Sequence, residues 1–218
     1  MDKTPVPLVR PRTEGAPEVD LTSFAIIHRA MCGEVRGLAA LTAAQGDTPF
    51  PPERERALRR LLGHLATEIH GHHTKEDEVL WPVVSASAGA AVDLLPLTED
   101  HTAIDPCLDR LRTATGRERA EALAVLRDLM EEHIAEEEAV LFPVMRRYVS
   151  VADFTACEKR FQRGAPLSHM RFVLPFIADH ATPEELARMM KTAGPVMGLL
   201  VRLFRPGYDR LRRTVYGS

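Results

Sequence analysis

The sequence predicts an all-α protein: an up-down-up-down four-helix bundle with additional short helices at its C-terminal end. Three observations carry this expectation. Ala, Leu, Glu and Arg dominate, and no run of alternating β-branched residues offers a strand. Apolar residues recur at helical spacing through four long segments separated by glycine, proline and polar breaks. An eleven-residue phrase is written twice, HHTKEDEVLWP over His72–Pro82 and HIAEEEAVLFP over His133–Pro143, with the copies 61 residues apart, 133 against 72.

Residues 1–19 are polar and proline-rich, which suits a flexible arm, and they lack the apolar stretch of a secretory signal. The first helix starts after Asp20 and runs to about Ala44, with Phe24, Ile27, His28, Met31, Val35 and Leu38 on its inward stripe and Gln45-Gly46-Asp47 as its stop. The second opens at Pro52-Glu53, where proline fits the first turn and acid suits the helix N-terminus, and continues past Leu65, Ile69 and His72 towards Trp81. Pro82 is expected to end or kink it. The third begins around Thr98 and passes His101, Ile104, Leu108 and Leu111 to Thr115-Gly116, with a possible kink at Pro106. The fourth spans about Arg117 to Tyr148, with Pro143 at the point where the first copy has Pro82.

The bundle then occupies residues 20–149, and residues 150–218 form a helical extension of shorter pieces, near 151–162 and 166–180 and onward. Thr182-Pro183-Glu184-Glu185 signs one start clearly: Thr caps, Pro takes the first position and Glu185 closes a capping box. Met170, Phe172, Leu174, Phe176 and Ile177 suggest one apolar face and Leu199, Leu200, Leu203 and Phe204 another. Packing on the bundle is the default role for these faces; a homodimer interface or a lid is the alternative.

The composition excludes several classes. With 218 residues, 45% hydrophobic and 27% charged, the chain can bury a substantial core. Its net charge of −3, with basic and acidic residues interspersed, offers no stripe for nucleic acid. The longest uncharged stretch, Val79 to Val92, has 14 residues, too few for a membrane span. Cys32, Cys107 and Cys157 are widely spaced, which argues against a disulfide framework and a thiolate metal site and suits a reducing cytoplasm.

Within each copy of the phrase, positions i and i+4 lie one turn apart on the same helix face, so His72 with Glu76, and His133 with Glu137, aim an imidazole and a carboxylate at one point. Two such helices facing each other make a two-metal cage. Mixed imidazole and carboxylate donors suit iron or manganese, the carboxylates bridging and the imidazoles terminating. His28 and His101 lie in the apolar stripes of the two other helices, where an imidazole needs a partner or a metal. Charged surface pairs have no reason to recur inside a matched phrase beside two further core histidines, so the four helices read together as a metal site. His64 and His70 fall off this register and read as surface residues, His70 close enough to support a ligand. His73 points about 100° round the helix from His72 and reads as a packing residue. His169 and His180 stand eleven apart in the extension and read as capping or packing residues, with reach over the site as the alternative, and Tyr148, Tyr208 and Tyr216, each a candidate to approach the metal, have no assigned place.

A histidine on the first helix, His-x-x-x-Glu leading into an apolar-aromatic-proline run, a histidine on the third helix and the same phrase again: over Leu21 to Val149 this pattern resembles the hemerythrin-like family, the hemerythrin/HHE cation-binding domain. The resemblance implies a non-haem di-iron centre, two iron ions bridged by oxide or hydroxide, with His28, His72, Glu76, His101, His133 and Glu137 at the ligand positions. Oxygen-carrying members have His-x-x-x-His on the third helix. Here the second of those positions is Asp105, which is either a carboxylate ligand or a helix residue before Pro106. The small molecules implied are dioxygen, nitric oxide and hydrogen peroxide. Binding or sensing of dioxygen or nitric oxide is the leading expectation; peroxide decomposition or oxidation at the same centre, and iron sensing, are the alternatives.

Overall fold

The computed structural model describes residues 9–161 and 166–217, so the first eight residues of the expected arm and the expected helix end at Gln162 lie outside the described residues. Among the described residues every regular element is helical. Helices α1 (Thr22–Gln45), α2 (Pro52–Lys75), α4 (Leu95–Thr113) and α5 (Gly116–Tyr148) pack in a ring, each against its sequence neighbour and α5 back against α1. That ring is an up-down-up-down bundle.

Two expected boundaries move. The second helix does not end at Trp81: a π turn over Glu76–Leu80 joins α2 to α3 (Trp81–Ala88), and the rod continues past Pro82. The Trp81 amide donates to the Glu76 carbonyl five residues back. A π turn already displaces the ladder, so the missing amide and the ring of Pro82 fall where the regular bonds are interrupted. The third helix begins at Leu95 rather than near Thr98, because Pro96 fits its first turn and the Asp93 carboxylate accepts the Leu95 amide at 3.0 Å. Pro106 and Pro143 stay inside α4 and α5 without dividing them.

The core comes in two apolar clusters. One, below, gathers Met31, Val35, Leu38, Leu61, Leu65, Ile69, Ile104, Leu108, Leu123, Leu126 and Met130. The other, above, gathers Phe24, Leu80, Trp81, Val84, Leu97, Leu141, Phe142 and Met145. Along α1, α2, α4 and α5, the sequence passes from one cluster to the other through His28, His72-His73 to Glu76, His101, and His133 to Glu137. The bundle therefore carries one buried polar layer across its middle, sealed by hydrocarbon above and below.

The extension packs on the bundle. α6 (Val151–Phe161) lays Phe154 and Cys157 into the upper cluster, with Phe154 and Phe161 against Phe24 at ring distances of 6.0 and 6.1 Å. α7 (Leu167–His180) and α9 (Pro195–Tyr216) lie against α1 and α2 and close the lower cluster with Phe172, Phe176, Tyr208 and Val215. α1 admits them at two glycines: a Cβ at Gly37 would stand 3.1 Å from the Tyr216 hydroxyl, and one at Gly33 would stand 3.4 Å from the His180 ring. Between those glycines the buried Glu34 accepts hydrogen bonds from Tyr216, at 2.6 Å, and from Arg212. α8 (Pro183–Ala193) starts with the expected capping box at Thr182 and Glu185. Of the expected second apolar face, Phe204 is buried, while Leu199 and Leu203 are each 66% exposed. From Val9 on, the expected arm runs against the bundle: the Arg12 amide donates to the Tyr148 carbonyl at 2.8 Å, and Val19 and Leu21 are buried.

Candidate metal centre

Seven side chains of the polar layer converge. His28, His72, Glu76 and Glu137 form one group, and His73, His101 and His133 form the other; within each, the donor atoms lie within 4.8 Å of one another. His28 Nε2 is 2.9 Å from His72 Nε2, and Glu76 Oε1 is 3.0 Å from the same His72 nitrogen. The two groups meet across the carboxylates. Glu76 turns Oε2 towards His101 Nε2 at 3.6 Å, and Glu137 Oε2 lies 3.5 Å from His28 Nε2 and 3.8 Å from His133 Nε2. Both acids thus stand between an imidazole of one group and an imidazole of the other, where a carboxylate bridging two cations belongs.

The outer nitrogens are held by acids on neighbouring helices. His28 Nδ1 is 2.9 Å from Glu138, His101 Nδ1 is 3.1 Å from Asp77, and His133 Nδ1 is 3.3 Å from Asp100. Such carboxylate partners fix the tautomer, leave Nε2 as the donor and raise its basicity towards a cation. The doubled phrase explains two of the three. Asp77 and Glu138 are equivalent positions of the repeat, and each reaches the lone histidine of another helix. The flanking acids are therefore part of the site rather than a solvated face.

Left to protein atoms alone, the interior does not balance. Both nitrogens of His73, the Nε2 atoms of His101 and His133 and all four oxygens of Glu76 and Glu137 are buried without a hydrogen-bond partner. Buried polar atoms are satisfied in nearly all native structures, and these eight belong to five of the seven residues that converge in the layer. Five imidazoles and two carboxylates fit a pair of cations: three imidazoles for one position, two for the other, and both acids shared. With equal bridging, the two-histidine position has one protein donor fewer. This is also the set that suits iron or manganese in preference to a structural zinc ion.

The electrostatics point the same way. Burial pushes the carboxyl of Glu76 well above the ordinary range, and burial together with the charge of Glu76 does the same to Glu137. Burial lowers His72 to about 4, and burial aided by His101 lowers His133 to about 4; His73 and His101 are lowered as well, chiefly by burial. Burial favours the neutral form of these four imidazoles, the form that coordinates a metal, while the carboxyls need cations before both can ionise. A pH dependence follows. Histidines depressed from 6.5 to about 4 add stability as pH rises across that interval and nothing further above it. Carboxyls raised above their unfolded value of 4.5 remove stability as pH climbs, because the folded chain retains protons the unfolded chain has lost. Between about pH 6.5 and 8, the melting temperature of the metal-free chain should fall while that of the metal-loaded chain holds, so the gap widens. Calorimetry with and without chelator reads it, and a gap that stays constant would count against cations neutralising this pair.

Of the residues the sequence singled out, His28, His72, Glu76, His101, His133 and Glu137 meet here. Asp105 does not. Its carboxylate lies 3.1 Å from His70 Nδ1, and the two side chains are 48% and 61% exposed. His73, read from the sequence as a packing residue, stands in the site instead, stacked on His101 at 4.1 Å with its ring within 5.2 Å of the His133 ring. The reason lies in the stripe of α2. Leu58, Leu62, Leu65 and Ile69 put the inward line midway between positions 72 and 73, so both rings face in. The histidine doublet, with a non-histidine at position 105, was the available signal. Phe24 and Phe142 flank His28 at 5.8 and 6.0 Å, and Trp81 stacks on His101 at 6.1 Å. His64 is half-buried and stacks on Phe172, and His169 bonds Glu68; His180, Tyr208 and Tyr216 serve the α1 contact and stay outside the cage.

Comparison with known proteins gives the same segment. The model of the hemerythrin HHE cation binding domain matches residues 24–148. The chain is 24% identical to the zinc finger protein BRUTUS of Arabidopsis thaliana over 97% of its own length but only 17% of that protein's. It is 28% identical over 130 residues to the iron-sulfur cluster repair protein DnrN of Neisseria gonorrhoeae, covering 53% of this chain and 80% of the other. No solved structure matches it significantly. No helix among the described residues is long and apolar enough to cross a membrane.

Proposed function

As the chain belongs to the hemerythrin HHE cation binding domain family, we propose that it is a non-haem di-iron protein that binds or senses dioxygen or nitric oxide at the metal position of His28 and His72. The observation that carries this reading is the unequal division of one buried donor set, three imidazoles on one side and two on the other. Ferrous iron at such a site supplies an open coordination position and reducing electrons. The protein supplies the rest. His73, His101 and His133 would hold one position, and Glu76 and Glu137, lying between the two groups, would serve both. Phe24 and Phe142 lay hydrocarbon against the His28 side, which favours an uncharged diatomic ligand over water. The likeness to a protein named for iron-sulfur cluster repair supports iron as the metal. Three free cysteines suit a reducing cytoplasm.

The test is anaerobic titration with ferrous iron to two equivalents, followed by rapid mixing with dioxygen or nitric oxide. A long-lived charge-transfer band that disappears on degassing supports binding. Immediate irreversible oxidation with no band overturns the binding reading. Sustained gas evolution from added peroxide, lost in His133→Ala, would move the function to peroxide decomposition.

A further inference from the structure

Among the described residues, α7 of the extension reaches α2 one turn before the polar layer. Along α2 and into the π turn that follows it, His64, Glu68, His72 and Glu76 recur every four residues, and the first two are held by α7: the His64 ring stacks on Phe172 at 4.8 Å and 8°, and His169 Nε2 donates to Glu68 Oε2 at 2.5 Å. The last two are donors of the two-histidine metal position. Glu68 and His72 are both buried, and the Glu68 carboxylate stands one turn before His72 beyond hydrogen-bonding distance, so it is the charge of Glu68 that acts on the imidazole. His72 enters the site through Nε2, which leaves Nδ1 as its outer nitrogen. Three other imidazoles of the site have a carboxylate at that outer atom, supplied within the bundle by Glu138, Asp77 and Asp100. For His72 the buried carboxylate one turn away is Glu68, and its position is set from outside the bundle. The second copy of the phrase has no such arrangement: Leu129 stands where Glu68 would be, four residues before His133.

We propose that His169 is a positioning residue for the two-histidine metal position, acting through Glu68 on His72, so that docking of α7 and occupancy of that position stabilise each other. The inference rests on the metal reading above. It gives the extension a role in setting the asymmetry of the centre, since among the described residues the three-histidine position has no link of this kind. A buried carboxylate held by α7 one turn from His72 would strengthen the electron donation of the imidazole that serves the less-coordinated ion. By reciprocity, that ion tightens the α7 contact by the same factor.

The experiment titrates the full chain anaerobically with cobalt(II), reading visible absorption, and follows amide exchange in α7. In His169→Ala the weaker of two equivalents should lose about 10-fold to 100-fold in affinity while the other stays within about 2-fold. His169→Gln, which keeps a donor, should recover most of the loss, and His180→Ala, on the same helix but away from Glu68, should titrate as wild type. Amide exchange in α7 should slow on loading in the wild type. Wild-type titration of His169→Ala overturns the proposal, as does an equal loss at both equivalents shared by His180→Ala, which would mark a structural role alone. Should His169→Ala fail to fold, Glu68→Gln, which retains an acceptor for His169 and removes the charge, reads the same selective loss or its absence. A wild-type chain that takes up no cobalt or iron fails at the metal reading itself, which distinguishes the two.

Discussion

Replacing Glu76 by glutamine should empty both metal positions together while leaving the bundle folded. Glu76 lies 3.0 Å from His72 and 3.6 Å from His101, one imidazole from each group, so its charge serves both ions. Removal of an outer carboxylate partner typically costs 10- to 100-fold in metal affinity, and loss of a shared donor should exceed that at each position, more than about 100-fold. The effect on the metal-free chain has the opposite sign. The Glu76 carboxyl is buried without a hydrogen-bond partner and its acid form is strongly favoured, so a neutral amide of the same shape relieves the cost of ionising it. At about pH 8 the metal-free variant should melt no lower than the metal-free wild type. Titration and calorimetry on the same sample read both halves. Retention of two equivalents at wild-type affinity would remove Glu76 from the centre.

The second large effect separates His73 from Asp105. His73→Ala should weaken one of the two metal equivalents to no better than its neighbour, because His73 stands with His101 and His133 in the three-histidine group and both its ring nitrogens are buried without other partners. Asp105→Ala should leave both equivalents intact. Its carboxylate is half-exposed against His70, and an exposed pair of that kind contributes about 0 to 1 kcal/mol. Metal titration reads both equivalents. The reverse outcome, one equivalent weakened with Asp105→Ala and neither with His73→Ala, would return position 105 to the ligand set.

The contrast between these two residues shows how far the sequence could be read. The bundle and the six donors His28, His72, Glu76, His101, His133 and Glu137 are legible because spacing on a helix is a geometric statement, and the doubled phrase repeats it. His73 was hidden by an assumption of phase. Taking His72 as the centre of the inward face turns its neighbour away, whereas the apolar stripe of α2 is centred between the two. Pro82 invited a helix end, but the outcome depends on whether the ladder is already displaced, and a π turn is a tertiary result rather than a local propensity. The extension could be recognised as helical and amphipathic. Its seat on α1 depends on the missing side chains of Gly33 and Gly37 and on one buried acid, Glu34, none of which announces a partner so far along the chain.

On the di-iron reading proposed above, the repeat also bears on the order of electron flow. Laid over each other, the two copies are alike at every donor except one: where the first has His73, the second has Ile134. A duplicated phrase with no such difference would surround its two ions alike, and neither would be favoured to give up an electron first. One imidazole set against one isoleucine breaks that twofold equivalence. On the di-iron reading, an ion held by three imidazoles and an ion held by two would differ in charge donation and in reduction potential, so a pair built from nearly identical halves would acquire a direction, one member anchoring and the other exchanging ligands and electrons.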